Sequence, residues 1–451
     1  MTDSDIASFA SALDERVAEI TERCSQCGKC FEACPMTAPA GIAEADPREV
    51  LGGVIDLLKG GDGNATARRW AEVCTNSGFC IPACDDGVNA RFMMGMTKLA
   101  AKRREHDSET LERKATASFR AMTRGVRMLS RLQLPPETLA RVNPRPSRTA
   151  PETPPEVVFY TGCNILKTPH IALLCLDILD RLGVSYEVKG GTSTCCGIFQ
   201  FNAGDAETSG RVAFNSIDQL ASAGAAEVLS WCPSCQTQMS EITLPAFQRV
   251  RKASPFELTP FLVYLARNVD RLRPLMTHRV EKRVALNERP AVPAAMTAAK
   301  TLLAAIPGLE FVELDVRRIG NMSNYLSVLP NFKTELRAEE FQAASAAGVT
   351  TLATVYHACH RELCHYDKDV SFEIVNFMEL LGESMGLHSP DIYKRLKIMQ
   401  DVDAVIADAD DLVTRHGLDL EDLRAVLYVD MLGGPPPAAT ATSGSRSRPS
   451  A

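Results

Sequence analysis

Val157-Val158-Phe159-Tyr160-Thr161-Gly162-Cys163 joins an apolar and aromatic run to a turn and a thiol within seven positions. The run reads as a buried strand, because β-branched and aromatic side chains suit a sheet and glycine suits the turn that ends it. Two later stretches share the design. Tyr186-Glu187-Val188 precedes Thr194-Cys195-Cys196-Gly197, and Glu227-Val-Leu-Ser-Trp231 runs into Cys232-Pro233-Ser234-Cys235. Between them, His170 to Val184 and Gly210 to Ala223 read as helices. Strands alternating with helices predict a mainly parallel sheet covered by helices, with ligands beyond the carboxyl ends of the strands. All five cysteines fall on those ends. A buried structural thiol packs as a small hydrophobe and needs no partner, so five gathered thiols read instead as the ligands of an iron–sulfur cluster. Cys175, within an apolar helix, reads as core.

The chain has 451 residues, enough for two or three domains, and ordinary globular proportions of 45% hydrophobic and 23% charged residues. A net charge of −7 gives no electrostatic reason to expect a nucleic-acid partner. No run approaches the ~18 apolar residues of a membrane span. The opening MTDSDIASFASALDERV is acidic and broken by charges, unlike a secretory or transit signal. A cytoplasmic setting is the expectation, and there fifteen cysteines point to metal or redox chemistry rather than disulfides.

Residues 1–20 read as an amphipathic helix leading into Cys24-Ser-Gln-Cys27-Gly-Lys-Cys30-Phe-Glu-Ala-Cys34-Pro35, the C-x2-C-x2-C-x3-C-P spacing of bacterial cluster-binding runs. Zinc is the bland rival for paired cysteines, but the four-cysteine spacing and closing proline favour iron–sulfur. A glycine-rich connection (Lys59 to Asn64) precedes a second run, Cys74-Thr-Asn-Ser77-Gly-Phe-Cys80-Ile-Pro-Ala-Cys84-Asp85, with Ser77 in place of the second cysteine. If ligands cross between runs, Cys24, Cys27, Cys30 and Cys84 complete one cubane [4Fe–4S] cluster. Cys34, Cys74 and Cys80 then hold a second cluster, [3Fe–4S] or [4Fe–4S] with an oxygen ligand, or an empty remnant. The helix-forming sequence between the runs predicts an α-helical ferredoxin domain. Residues 95–132 read as one helix with a basic exposed face, and the prolines of 133–156 as a stiff, extended linker.

After residue 280 the first α/β unit is repeated. Val284 to Pro290 aligns with Val157 to Cys163, Asn321-Met322-Ser323 with Cys195-Cys196-Gly197, and Leu352 to Cys359 with Val228 to Cys235. The second copy keeps only Cys359 of the five. Around it stand His357, His360, Cys364 and His365, either a reassigned metal or redox site or the solvent-facing remains of a lost loop. Residues 368–430 read as helix-rich, with Phe372 to Leu381 a good amphipathic segment, and the tail from Gly433 is low-complexity.

A paired cysteine-run module followed by C-x31-CC-G-x34-C-x2-C resembles the fused catalytic iron–sulfur subunit of heterodisulfide reductases. Relatives with the cysteine-rich CCG domain include the iron–sulfur subunits of glycolate and lactate oxidation systems. Together with the composition, the resemblance, which covers about residues 20–370, gives an α/β fold with an N-terminal α-helical ferredoxin domain (1–132), a Pro-rich linker (133–156), an intact CCG domain (157–270), a degenerate second CCG domain with C-terminal helices (280–430), and a disordered tail (433–451). It implies a noncubane [4Fe–4S] cluster on Cys163, Cys195, Cys196, Cys232 and Cys235, five thiolates being more than a cubane's four corners require, with Cys195 and Cys196 at the centre of sulfur chemistry. Partners would be a flavoprotein or quinone-linked subunit, since the chain has no dinucleotide fingerprint, and a sulfur substrate or carrier protein. The loss of the second Cys-Cys-Gly argues against cleavage between paired clusters. A non-catalytic electron-transfer subunit serving a 2-hydroxy-acid-oxidising flavoprotein is the alternative from a different class.

Overall fold

The computed structural model describes residues 3–145 and 152–434; the middle of the expected linker and nearly all of the expected disordered tail lie outside them. The chain opens with a helix, Asp3–Arg23. Its Phe9 is fully buried and meets Phe214 edge-on, with ring centroids 5.4 Å apart. Gly210 makes that approach possible, because a Cβ there would lie 2.4 Å from the Phe9 ring.

Helices Pro47–Leu58, Ala65–Val73 and Ala90–Glu105 enclose the two cysteine runs. Asp46, Asn64 and Asn89 cap their amino ends by accepting backbone N–H groups. Fully buried Trp70 packs edge-on against Phe31 at 5.2 Å. The two runs share one backbone form: Gln26 and Asn76 both have φ 57°, followed two residues later by Gly28 and Gly78 at 88° and 89°.

Two expectations need correction here. Residues 95–132 are not one helix, because the chain breaks at His106 and Asp107 caps a new helix, Ser108–Arg131, accepting from Thr110 N at 2.7 Å. The expected extended linker contains a helix, Pro136–Val142, started by a proline that lacks only an N–H the first turn leaves unpaired anyway. Arg141 ties this helix to Asp177 and Asp180, each at 2.6 Å.

The first sheet holds β1 (Val157–Tyr160), β2 (Tyr186–Lys189), β3 (Glu227–Ser230) and β4 (Glu257–Pro260). All pairs are parallel, in the order β2-β1-β3-β4. The second sheet holds β5 (Arg283–Asn287), β6 (Glu310–Phe311), β7 (Thr351–Thr354) and β8 (Glu373–Asn376), in the matching order β6-β5-β7-β8. Val157 pairs with Glu227, and Val284 with Thr351, so the central strands of the two sheets share one register. The sequence pattern hides β4 and β8. β4 ends in proline, tolerable only because the strand lies at the sheet edge. Glu373-Ile-Val-Asn376 lies in the amphipathic segment of a stretch expected to be helix-rich, but its β-branched pair joins β7. Asn376 then caps helix Phe377–Ser384 through a capping box with Glu379.

One continuous apolar core runs from Phe9 through both sheets to Met385. The last helices fold back on the first module, where Tyr393, Leu396 and Leu427 pack with Met128, Leu129 and Leu132. Among the described residues no helix is long and apolar enough to cross a membrane. Gly210→Val should drive a branched side chain into Phe9 and cost about 1–3 kcal/mol. A lower melting temperature would report it, and an unchanged one would mean that the N-terminal helix does not rest on this contact.

A five-thiol candidate metal centre

The order β2-β1-β3 lays three loops side by side at the carboxyl edge of the first sheet. Cys163 follows β1, Cys195 and Cys196 follow β2, and Cys232 and Cys235 follow β3. Two glycines make the approach possible. Gly162 has φ 64°, and a Cβ on it would stand 3.1 Å from Cys235 Sγ. Gly197 has φ 83°, and a Cβ there would stand 2.6 Å from the Ser209 carbonyl oxygen. The loop around the cysteine pair is clamped by hydroxyls: Tyr160 donates to Thr194 O at 2.9 Å, Ser216 to Cys195 O at 2.7 Å and Ser209 to Gly197 O at 2.9 Å.

All five thiols are buried. Their sulfurs form an unbroken row of contacts, Cys163 to Cys195, Cys195 to Cys196, Cys196 to Cys235 and Cys235 to Cys232. Cys196, receiving hydrogen bonds from Cys195 and Cys235, is pulled down to about 6. Cys163 is pushed up by its hydrogen bond to Cys195 and by burial. A buried row of thiols that stabilises a central thiolate is a soft donor set, suited to iron–sulfur chemistry or zinc. Five sulfurs exceed the four ligands of a closed zinc site. The residues therefore fit a cluster.

A cavity of about 920 Å³ opens onto this row. Cys163, Cys196, Cys232 and Cys235 line it, and Cys74 of the helical module lies in the same wall. Arg91, Lys98, Lys102, Lys167 and Arg361 also line it, against Glu241 and Asp430: among the described residues, five cations to two carboxylates. Arg91 pairs with Glu241, and Lys167 pairs with Asp430 at 2.8 Å. His357 stands in the wall and is held neutral by burial, then by Arg361 and Lys167.

In the helical module, Cys24, Cys27, Cys30 and Cys84 surround one small hollow beside Val88 and Met93. Val88 N donates to Cys84 Sγ at 3.3 Å, and Cys27 is exposed. Cys34, Cys74 and Cys80 form a neighbouring group. Burial, then the charge of Cys74 and Cys34, pushes the Cys80 thiol up, and Cys34 accepts a hydrogen bond from Trp70. Ser77 is buried and already bonded: its hydroxyl accepts from Gly320 N at 2.8 Å and lies 3.0 Å from Thr75 Oγ1.

The matching edge of the second sheet is built differently. Arg289 follows β5, Asn321-Met322-Ser323 follows β6, and Cys359 follows β7. The buried Arg289 guanidinium donates to Ile319 O at 2.9 Å and Ser323 Oγ at 3.0 Å, and also bonds Cys359. Ser323 N donates to Cys359 Sγ at 3.4 Å. Buried Glu340, fixed by Asn287 at 2.8 and 2.6 Å, attracts the guanidinium from further off, after Cys359. A guanidinium thus stands where the first sheet gathers sulfurs. The histidine–cysteine group around Cys359 is dispersed by its helix, His357–Leu363, and the tighter turn Cys364–Lys368 after it: His357 stands in the cavity wall, His360 lies against Asp391, Cys364 joins the C-terminal core, and His365 stacks on Tyr366. Sequence reasoning missed Arg289, whose single signal was its place one residue short of the position aligned with Cys163.

Residues 157–240 match the family model of the cysteine-rich CCG domain, a domain found in heterodisulfide reductase and related iron–sulfur subunits. A comparison with curated proteins returns no match. The matched domain spans all five thiols and, with fifteen cysteines in the chain, points to an iron–sulfur cluster and an electron-transfer role.

Removing the buried guanidinium in Arg289→Ala should leave Ile319 O and Ser323 Oγ without their donor and cost about 1–3 kcal/mol. Chemical denaturation of the variant measures this. A loss under about 1 kcal/mol would mean that the guanidinium does not hold the second edge together.

Proposed function

We propose that this chain is the iron–sulfur subunit of a heterodisulfide reductase-like complex, with thiol–disulfide redox chemistry at a noncubane [4Fe–4S] cluster held by Cys163, Cys195, Cys196, Cys232 and Cys235. One observation carries the reading: the five-thiol row faces a cavity of about 920 Å³. A centre that only passes electrons needs no space for a ligand, whereas this volume is at the upper end of ordinary small-molecule sites. When bound, such a cluster supplies one-electron exchange and an iron to which a substrate sulfur can attach.

The chain's own residues do the rest. The cavity's excess of cations attracts a substrate bearing negative charge, such as an acidic thiol or disulfide. Pairing of Arg91 with Glu241 and of Lys167 with Asp430 keeps those side chains against the wall. Lys98, Lys102 and Arg361 supply the remaining attraction. The second sheet contributes wall residues, Tyr325, His357 and Arg361, but no second thiol row; it acts as a degenerate CCG repeat that closes the cavity.

Electrons enter through the helical module in this account. Cys24, Cys27, Cys30 and Cys84 would hold a cubane cluster near the surface, where exposed Cys27 lets a flavoprotein or quinone-linked partner approach. Cys34, Cys74 and Cys80 would hold the next centre, and Cys74 already borders the cavity. Because Ser77 is bonded to Gly320, three thiolates are the protein ligands expected there.

The test is disulfide-dependent oxidation of a reduced viologen by anaerobically prepared, cluster-loaded protein, using an acidic disulfide beside its neutral diamide. Activity should favour the acidic compound, fall by about 100-fold or more in Cys196→Ser, and survive in Cys359→Ser. Absence of disulfide-dependent turnover with the clusters in place, or equal activity in Cys196→Ser, would sink the proposal.

A further inference from the structure

Away from the thiols, His170, His360, Glu379 and Asp391 meet at the junction of the two α/β halves. Each offers one ligand atom, and these atoms all lie within 4.8 Å of one another. His170 comes from helix Pro169–Arg181, which follows Cys163, while the other three come from the second half. The two histidine rings are 5.4 Å apart.

Hydrogen bonding leaves this group incomplete. His170 is 2% exposed, yet neither ring nitrogen has a hydrogen-bond partner. Its nearest acceptors stand off, Nδ1 lying 3.4 Å from Asp391 Oδ1 and Nε2 lying 3.8 Å from Glu379 Oε1. Leaving a buried polar group so is unfavourable. Thr354 donates its only hydroxyl proton to Val375 O at 3.0 Å, so at 3.1 Å from His360 Nδ1 it must accept. On the other side of the ring, His360 Nε2 lies 2.6 Å from Asp391 Oδ2.

We propose that His170, His360, Glu379 and Asp391 form a structural zinc site that joins the two halves of the chain. Two neutral imidazoles and two carboxylates carry the −2 charge that a divalent ion neutralises, and an N2O2 set with no open position suits tetrahedral zinc. Ligand bonds of about 2.0–2.1 Å fit a group this compact after small side-chain rotations. The outer partners are in place as well. Thr354 orients His360, Lys394 N donates to Asp391 Oδ1 at 2.9 Å, and Asn376 N donates to Glu379 Oε1 at 2.7 Å. The Lys394 ammonium bonds Ile374 O and Asp367 rather than this group.

Zinc and iron counts on the full chain, purified anaerobically with its clusters, test the site together with zinc-edge X-ray absorption. The expected result is one zinc per chain with only nitrogen and oxygen in its first shell. His360→Gln and Asp391→Asn should lose it while keeping the iron, and Cys196→Ser should keep the zinc, which separates this site from the five-thiol centre. The absorption measurement uses the unsubstituted protein, so poor folding of a variant leaves the proposal exposed. Protein without zinc, a sulfur-containing zinc shell, or zinc retained in both variants would overturn it.

Discussion

Five thiols can share one buried space only if the backbone brings them there at no steric cost and offsets the charge they acquire. The parallel sheet meets the first condition. Neighbouring parallel strands all end on the same edge, so three loops distant in sequence converge without any long connection crossing the site. Gly162 and Gly197 remove the side chains that would otherwise fill the space. The second condition is met within the row itself, where S–H groups donate toward Cys196 and lower its cost of ionisation. Everything else in the first half supports this edge: hydroxyls clamp the cysteine-pair loop, and the apolar core behind β1 and β3 admits no shift of the strands.

The second half shows what the same architecture does without the thiols. Its strand order and register are preserved, but a buried guanidinium with Glu340 behind it fills the corresponding edge. A cation takes over the task of satisfying inward-facing carbonyl and hydroxyl groups. With its own edge filled, this half supplies a wall to the cavity, and its Gly320–Asn321 loop bonds directly to Thr75 and Ser77 of the helical module. The three parts of the chain therefore meet around one space, with Cys74 on one side and Cys196 on another.

Much of this was legible in the sequence where local chemistry is repetitive. Val157 to Tyr160 and Glu227 to Ser230 read as strands because their side chains fit nothing else so well, and the cysteines marked the ends. The α/β character and the two parallel sheets follow from that pattern. What escaped depends on neighbours. Glu257 to Pro260 looks like a loop until an edge position is known, and Glu373 to Asn376 looks helical until β7 offers its partner. Asp107 ends one helix by starting another, a local signal lost inside a long polar stretch. Arg289 and Ser77 owe their roles to residues 30 to 243 positions away in sequence, which no local pattern carries. The three histidines and Cys364 near Cys359 read as one group because they are close along the chain, and the helix His357–Leu363 with the turn after it sends them to four different places.

The central claim is that the row from Cys163 to Cys232 holds a cluster of its own, separate from those of the helical module. Iron and acid-labile sulfide counts, with low-temperature EPR, on the unsubstituted protein and on the Cys195→Ser/Cys196→Ser double variant test it most directly. The account predicts the loss of about four irons and of one set of EPR signals, with the signals of the helical module unchanged. Equal iron content and identical spectra in the two proteins would contradict it.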